Sequence, residues 1–223
     1  MTYRHEWKHE INLSDMIALR QRLRAVAQPD EHTLNGAYEI RSLYFDNLSD
    51  KALREKIDGV SRREKFRIRY YNWDTSLIHL EKKSKIGGLG TKKSAVLTRE
   101  QAQSIVDGDY GWVAHAPDPL IKELYHKMKT QQLRPKTIVD YTREPYIFPA
   151  GNVRVTMDYN IRTGLLCTDF LNPDCVTIPA GEAPIILEVK WDAYLPDIIR
   201  DAIQLGSRHT CAFSKYAACR IYG

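Results

Sequence analysis

Nowhere in the 223 residues do about 18 apolar side chains run together, so no segment reads as a bilayer-spanning helix. The opening MTYRHEWKHE lacks the apolar stretch of a secretory signal. A cytoplasmic protein is therefore expected, with any membrane link made through a membrane-protein partner. Only four cysteines occur (Cys167, Cys175, Cys211 and Cys219), with no C-x-x-C pair and no zinc spacing. A chain of this length buries a sizeable core without cross-links, so free thiols in a reducing compartment are expected. The seven histidines make no H-x-x-x-H pair, and His5 and His79 are read as structural. A P-loop, a G-x-G-x-x-G and a Ser-His-Asp order are all missing, which leaves Walker-type and nucleophilic chemistry unsupported. Net charge is only +5, far from a histone-like excess, so the arrangement of charge matters more than its sum.

What the sequence does have is charge on one parity of its strands. In FRIRYY, Arg67 and Arg69 alternate with Phe66, Ile68 and Tyr70. Side chains two apart share a strand face, so both guanidiniums point one way and the apolar residues the other. The same parity recurs at Arg4, Glu6, Lys8 and Glu10, at Glu81, Lys83 and Lys85, at Arg154, Thr156 and Asp158, and at Glu188 and Lys190. Five such strands suggest a polar channel with an apolar outer wall, suited to a polyanion and a divalent metal.

Strands are expected over 3–12, 38–45, 63–73, 77–85, 91–97, 138–147, 153–161 and 185–191. A helix over about 15–27 would be capped by Ser14, and Asp74 to Ser76 would turn into the strand that starts at Leu77. Asn47 to Lys56 reads as a short polar helix or turn closed by Asp58 and Gly59. Thr98 with Gln101 has the capping-box pattern. Further helices are expected over 117–133, 196–205 and 213–220. Paired strands with helices between them predict an α+β protein in one domain, 1–223, its antiparallel sheet closed into a barrel.

Arginine grips phosphate bidentately and lysine acts as a point charge; both are present. The plainer reading of Arg67 and Arg69 is a solvated face paired with Glu81. Glu6, Glu81 and Glu188 each precede a lysine by two positions, and magnesium or manganese takes one or two carboxylates with phosphates completing its shell. The alternative for each Glu-x-Lys is a cross-strand ion pair. Lys92 and Lys93 follow the glycine-rich stretch at Gly87, Gly88 and Gly90, and Lys215 lies near the C-terminus beside Ser214. Nucleic-acid binding would call for an exposed basic patch with aromatics, and is not expected.

RSLYFDN (41–47), Leu53, Asp58-Gly59, FRIRYY (66–71) and HLEKKSK (79–85) resemble the triphosphate tunnel metalloenzymes, and within them the VTC domain. DYTREPYI, VRVTMD, LEVKW and FSKY follow in that family's order, so the resemblance spans Tyr3 to Tyr216. It implies a closed tunnel of eight antiparallel strands with flanking helices, and a Mn²⁺ or Mg²⁺ at one end. Lys8, Arg67, Arg69, Lys83, Arg143 and Lys215 would be phosphate ligands and Glu188 the metal carboxylate; Glu6 and Glu81 stay metal candidates on the Glu-x-Lys pattern alone. Lys190 and Arg154 would stand in the wall, and either Lys92 or Lys93 would supply a strand lysine. Eukaryotic polyphosphate polymerases join this module to an SPX domain and membrane segments; a free-standing, bacterial-type domain is expected here. Arg4 stands where the superfamily's Glu-x-Glu-x-Lys signature has its first glutamate.

The implied activity is metal-dependent transfer of a phosphoryl group from a nucleoside triphosphate, ATP first among them, to a growing polyphosphate chain. A triphosphatase using the same residues on inorganic triphosphate or a nucleotide is the alternative. A polyphosphate-binding module without turnover is the third reading.

Overall fold

A computed structural model describes residues 4–87, 89–182, 184–206 and 208–220. Ten strands and six α-helices follow the order β1 (His5–Ile11), α1 (Leu13–Val26), β2 (Gln28–Pro29), β3 (Tyr38–Asp46), α2 (Lys51–Ile57), β4 (Arg63–Tyr71), β5 (Asp74–Ile86), β6 (Leu89–Leu97), α3 (Arg99–Val106), α4 (Pro119–Thr130), β7 (Arg134–Phe148), β8 (Val153–Thr163), β9 (Ile178–Pro179), β10 (Ile185–Trp191), α5 (Asp197–Ala202) and α6 (Lys215–Ala218). The fold is α+β and dominated by antiparallel strands, as expected. Closure is not as expected. The hydrogen-bonded order is β1-β10-β8-β7-β3-β4-β5-β6, with β2 and β9 attached to β7 and β8. β1 and β6 end that order without pairing to each other among the described residues, so the eight-stranded sheet is open rather than a closed barrel.

The chain divides into two compact units. The first comprises Met1–Glu39, Tyr141–Ile161 and Gly181–Ser214, and the second Ile40–Asp140, Arg162–Ala180 and Lys215–Gly223. In the first, β10 pairs with β1 and with β8, placing Leu187, Val189, Val155 and Met157 on one apolar face. Met16, Leu19 and Leu23 of α1 and Ile199 of α5 cover that face. Helix α1 is capped by Asn12, not Ser14: the Asn12 side chain accepts from the Asp15 amide at 2.9 Å, and Asp15 accepts from the Asn12 amide at 3.1 Å. The physical reason is the partner three residues on. Asn12 finds a carboxylate there and closes a reciprocal box, whereas Ser14 would meet Ile17. Gly151 is required by close approach, since a Cβ there would lie 2.4 Å from the Tyr194 carbonyl.

In the second unit the sheet face formed by Leu43, Phe45, Phe66, Ile68, Tyr70, Ile78 and Leu80 packs against Ala102 and Ile105 of α3 and Leu120, Leu124 and Met128 of α4. Each fully buried large side chain contributes roughly 1.5–3 kcal/mol. The capping box read at Thr98 and Gln101 is formed, with both hydrogen bonds at 3.0–3.2 Å. The β4–β5 turn falls at Asn72 and Trp73 (φ 50° and 61°), not at Asp74 to Ser76, so β5 starts three residues early. A tryptophan with positive φ is unusual. Its ring lies 4.6 Å from the Arg41 guanidinium, which pairs bidentately with Asp140 at 2.9 Å, and that packing holds the conformation. Among the described residues no helix is long and apolar enough to cross a membrane.

Candidate functional site

Strand alternation puts the candidate cations, Lys93 and the helical Lys215 excepted, on the face opposite each core. In the first unit, antiparallel register sets Lys8 across from Glu188 and Glu6 across from Lys190, while β8 brings Thr156 beside Glu188 and Arg154 beside Lys190. The Arg143 guanidinium donates two 2.6 Å hydrogen bonds to Asp158 and lies 3.8 Å from a Glu188 oxygen. Lys190 pairs directly with Glu188 and sits 3.6 Å from Glu6, which is also 3.4 Å from Lys8. Glu188 is therefore a buried carboxylate between three cations. Burial alone would raise its pKa, but Lys190, Lys8 and Arg143 outweigh that and hold it well below the usual carboxylate range. Burial likewise works against the Lys8 ammonium, and Glu188 and Glu6 reverse it, so Lys8 is raised.

A second carboxylate–cation cluster lies in the second unit. Arg67 directs Nε and Nη2 at one Glu81 oxygen (2.8 and 2.6 Å) and donates from Nη1 to the Tyr44 hydroxyl at 2.7 Å. Arg69 reaches Ser42 at 3.3 Å, Tyr71 at 3.2 Å and Glu81 at 3.8 Å. Lys92 approaches the other Glu81 oxygen at 2.5 Å. The plainer reading thus finds its ion pair, but not its solvated surface: Arg67, Arg69 and Glu81 are 6%, 3% and 1% exposed. Desolvation pushes Glu81 up, yet Arg67, Arg69 and Lys92 hold it far below the ordinary range.

The register of the β5–β6 hairpin settles which lysine joins this cluster. Lys83 faces Lys92 across the strands, on the Glu81 side, whereas Lys93 faces Lys82 on the opposite side. There Lys82 is tied to Glu64 and Glu123. Lys215 opens α6, next to Tyr216, whose ring stacks on Tyr44 at 5.1 Å and whose hydroxyl donates to Asp46 at 2.7 Å. Arg154 donates to Asp30 at 3.0 Å and to the Tyr38 hydroxyl. Arg4 pairs with Asp192 at 2.9 Å.

Several partners escaped sequence reading. Asp158 carried the right parity but nothing that named it as the clamp on Arg143. Ser42 and Tyr44 alternate on β3 as the arginines do on β4, a signal that could have found them. Asp30 follows a helix end and had no local signal at all.

A divalent ion can be tested against these donors. Among the described residues no group of three or more His, Cys, Asp or Glu side chains is placed to hold a metal. Glu188 and Glu6 share Lys8 and Lys190, so they supply two adjacent carboxylates. Two carboxylates are what magnesium or manganese takes when substrate phosphates fill the rest of its shell. The fit is therefore to an ion that arrives with phosphate, not to a closed protein cage. Glu81 fits less well, because among the described residues its cluster of Arg67, Arg69 and Lys92 shows no second carboxylate like the Glu6 that shares lysines with Glu188.

The low pKa of Glu81 has a measurable consequence. A carboxyl whose folded pKa lies below its ordinary 4.5 adds stability that is complete above that value and is lost as pH falls toward the folded pKa. Wild-type urea stability should be nearly flat from about pH 7 to 5 and decline below about pH 4.5. Glu81→Gln should lose about 3 kcal/mol at neutral pH, having stranded buried cations, and should show a shallower acid decline. Parallel acid slopes in the two proteins would contradict this account.

The chain thus presents cation-rich strand faces that hold buried carboxylates, Glu188 and Asp158 in one unit and Glu81 in the other. The VTC domain family matches it over residues 3–221, and the chain belongs to that family. No curated protein sequence matches it. Among solved structures, the fold is similar to that of a "putative adenylate cyclase" of Bacillus halodurans, with a TM-score of 0.52 and 13% identity, covering 83% of this chain and 78% of that one. A protein of Pyrococcus horikoshii aligns with a TM-score of 0.44 and 14% identity over 90% of this chain and 84% of its own.

Proposed function

We propose that this protein is a polyphosphate polymerase, moving the terminal phosphoryl group of a nucleoside triphosphate, ATP by preference, onto a polyphosphate chain. The observation that carries the reading is the pair of carboxylate–cation clusters, Glu188 with Lys8, Lys190 and Arg143, and Glu81 with Arg67, Arg69 and Lys92. Membership of the VTC family supports the polymerase in particular. Phosphoryl transfer asks a protein mainly to align its reactants and stabilise charge, and fixed cations in a water-poor setting do both.

Arg67, Arg69 and Arg143 would hold phosphoryl oxygens bidentately, exchanging internal carboxylates for phosphate. Lys8, Lys83, Lys92, Lys190 and Lys215 would neutralise flanking phosphates, and Arg154 would extend that surface. Glu188 and Glu6 would hold Mn²⁺ or Mg²⁺. When bound, the ion supplies charge neutralisation on the donor phosphates. Tyr44 and Ser42 fix the arginine forks, so little reorganisation is needed when phosphate enters.

Incubation with ATP and Mn²⁺, followed by separation of products by length, tests the reading. A ladder of polyphosphate is the expected result. Orthophosphate alone would make the protein a triphosphatase, and ATP binding without turnover would make it a binding module.

A further inference from the structure

Spacing in the sequence does not pair Cys167 with Cys175, eight residues apart, but the fold does: their sulfurs lie 2.9 Å from each other. Both thiols are free and partly accessible. They sit in the loop between β8 and β9, on the margin of the second unit's core.

The loop is built to hold them there. Phe170 and Leu171 between the two cysteines are buried in the core, and the Phe170 carbonyl accepts from the Tyr70 hydroxyl at 3.1 Å. The Asn172 carbonyl accepts from the Arg41 guanidinium at 2.6 Å and from the Cys175 amide at 3.2 Å. At the other end, the Cys167 amide donates to the Gly164 carbonyl at 2.8 Å. A side chain at position 164 would crowd Ile138 at 3.0 Å and the Cys167 carbonyl at 3.4 Å, so glycine lets the chain pass. Anchors on both sides thus fix the two thiols in contact, and a small side-chain rotation separates that contact from a bond of about 2.05 Å.

We propose that Cys167 and Cys175 form a reversible disulfide site whose oxidant is a low-molecular-weight disulfide such as oxidised glutathione. One cysteine, as thiolate, attacks the glutathione disulfide and releases one glutathione thiolate. The second cysteine gives up its proton and attacks the mixed disulfide, releasing the other glutathione. The net reaction joins the protein sulfurs and reduces one glutathione disulfide to two thiols. Burial and the neighbouring Cys167 push the Cys175 thiol up to about 12, so Cys175 suits the second, intramolecular step, where proximity offsets a small thiolate fraction. Cys219 is buried, with its thiol donating to the Arg162 carbonyl at 3.6 Å. The inference is independent of the phosphoryl-transfer reading.

The reduced protein is equilibrated with oxidised glutathione, the remaining thiols are titrated after unfolding, and its proteolytic peptides are mapped. Of the four thiols, two should disappear, in one linkage joining Cys167 to Cys175. Because the bridge closes a short loop in the unfolded chain, Tm should rise by roughly 3–8 °C and return on reduction. Cys167→Ser and Cys175→Ser should each abolish the shift, while Cys211→Ser should keep it. If one serine variant does not fold, the other variant and the wild-type peptide map still decide. Four thiols remaining, glutathione adducts alone, or a bridge to Cys211 or Cys219 would each overturn the proposal.

Discussion

Arg67→Ala and Arg69→Ala are each expected to lower kcat/KM for the nucleoside triphosphate by about thirty- to a thousandfold, with Arg→Lys recovering little. Losing a charge-assisted contact to a phosphoryl oxygen costs on the order of 2–4 kcal/mol in the transition state. Lysine keeps the charge but not the fork that meets two oxygens at once. The geometry sharpens this expectation. Arg67 is held from both sides, by Glu81 and by the Tyr44 hydroxyl, and Arg69 by Ser42 and Tyr71. If both arginines serve only as partners of Glu81, their loss would lower stability by about 3–5 kcal/mol, as for a broken buried pair, and leave turnover per folded molecule unchanged. Kinetics on variants whose folded fraction has been measured separates the two, and wild-type kcat/KM in either alanine variant would remove the arginines from the site.

Glu188→Gln is expected to cut metal-dependent turnover by at least about a hundredfold while keeping, or tightening a few-fold, the binding of ATP without metal. The amide preserves the shape of a side chain that is only 5% exposed. It removes the charge that now balances Lys190, Lys8 and Arg143. Those cations then act on phosphate with one internal competitor fewer, Asp158 and Glu6 remaining, so affinity for the anion should not fall. Calorimetric titration of ATP with and without Mn²⁺ gives a readout that does not depend on turnover. A variant that keeps wild-type turnover at ordinary metal concentrations would show that Glu188 serves charge balance alone, with the metal held elsewhere.

Much of the candidate site was legible because strand alternation is a local rule. FRIRYY assigns Arg67 and Arg69 to one face and Phe66, Ile68 and Tyr70 to the other whatever the rest of the chain does, and the structure keeps that division. The capping box at Thr98 and Gln101 was legible for the same reason, since both partners lie within one turn. Helix α1 shows the limit of such reading: two cap-competent residues stood two positions apart, and the carboxylate of Asp15 decided for Asn12.

What the sequence determined by itself is the α+β character, the parity of charge on each strand and the family to which the chain belongs, because all three reside in short-range order. Tertiary structure alone decided the partners. Lys8 meets Glu188 because β1 pairs with β10 from the far end of the chain, and Arg154 meets Asp30 although nothing near either residue announces it. It separated Lys92 from Lys93 through a hairpin register that a one-residue slip would have reversed. It likewise left β1 and β6 at the two ends of the strand order, not paired with each other among the described residues, because pairing between strands remote in sequence depends on where the whole chain goes.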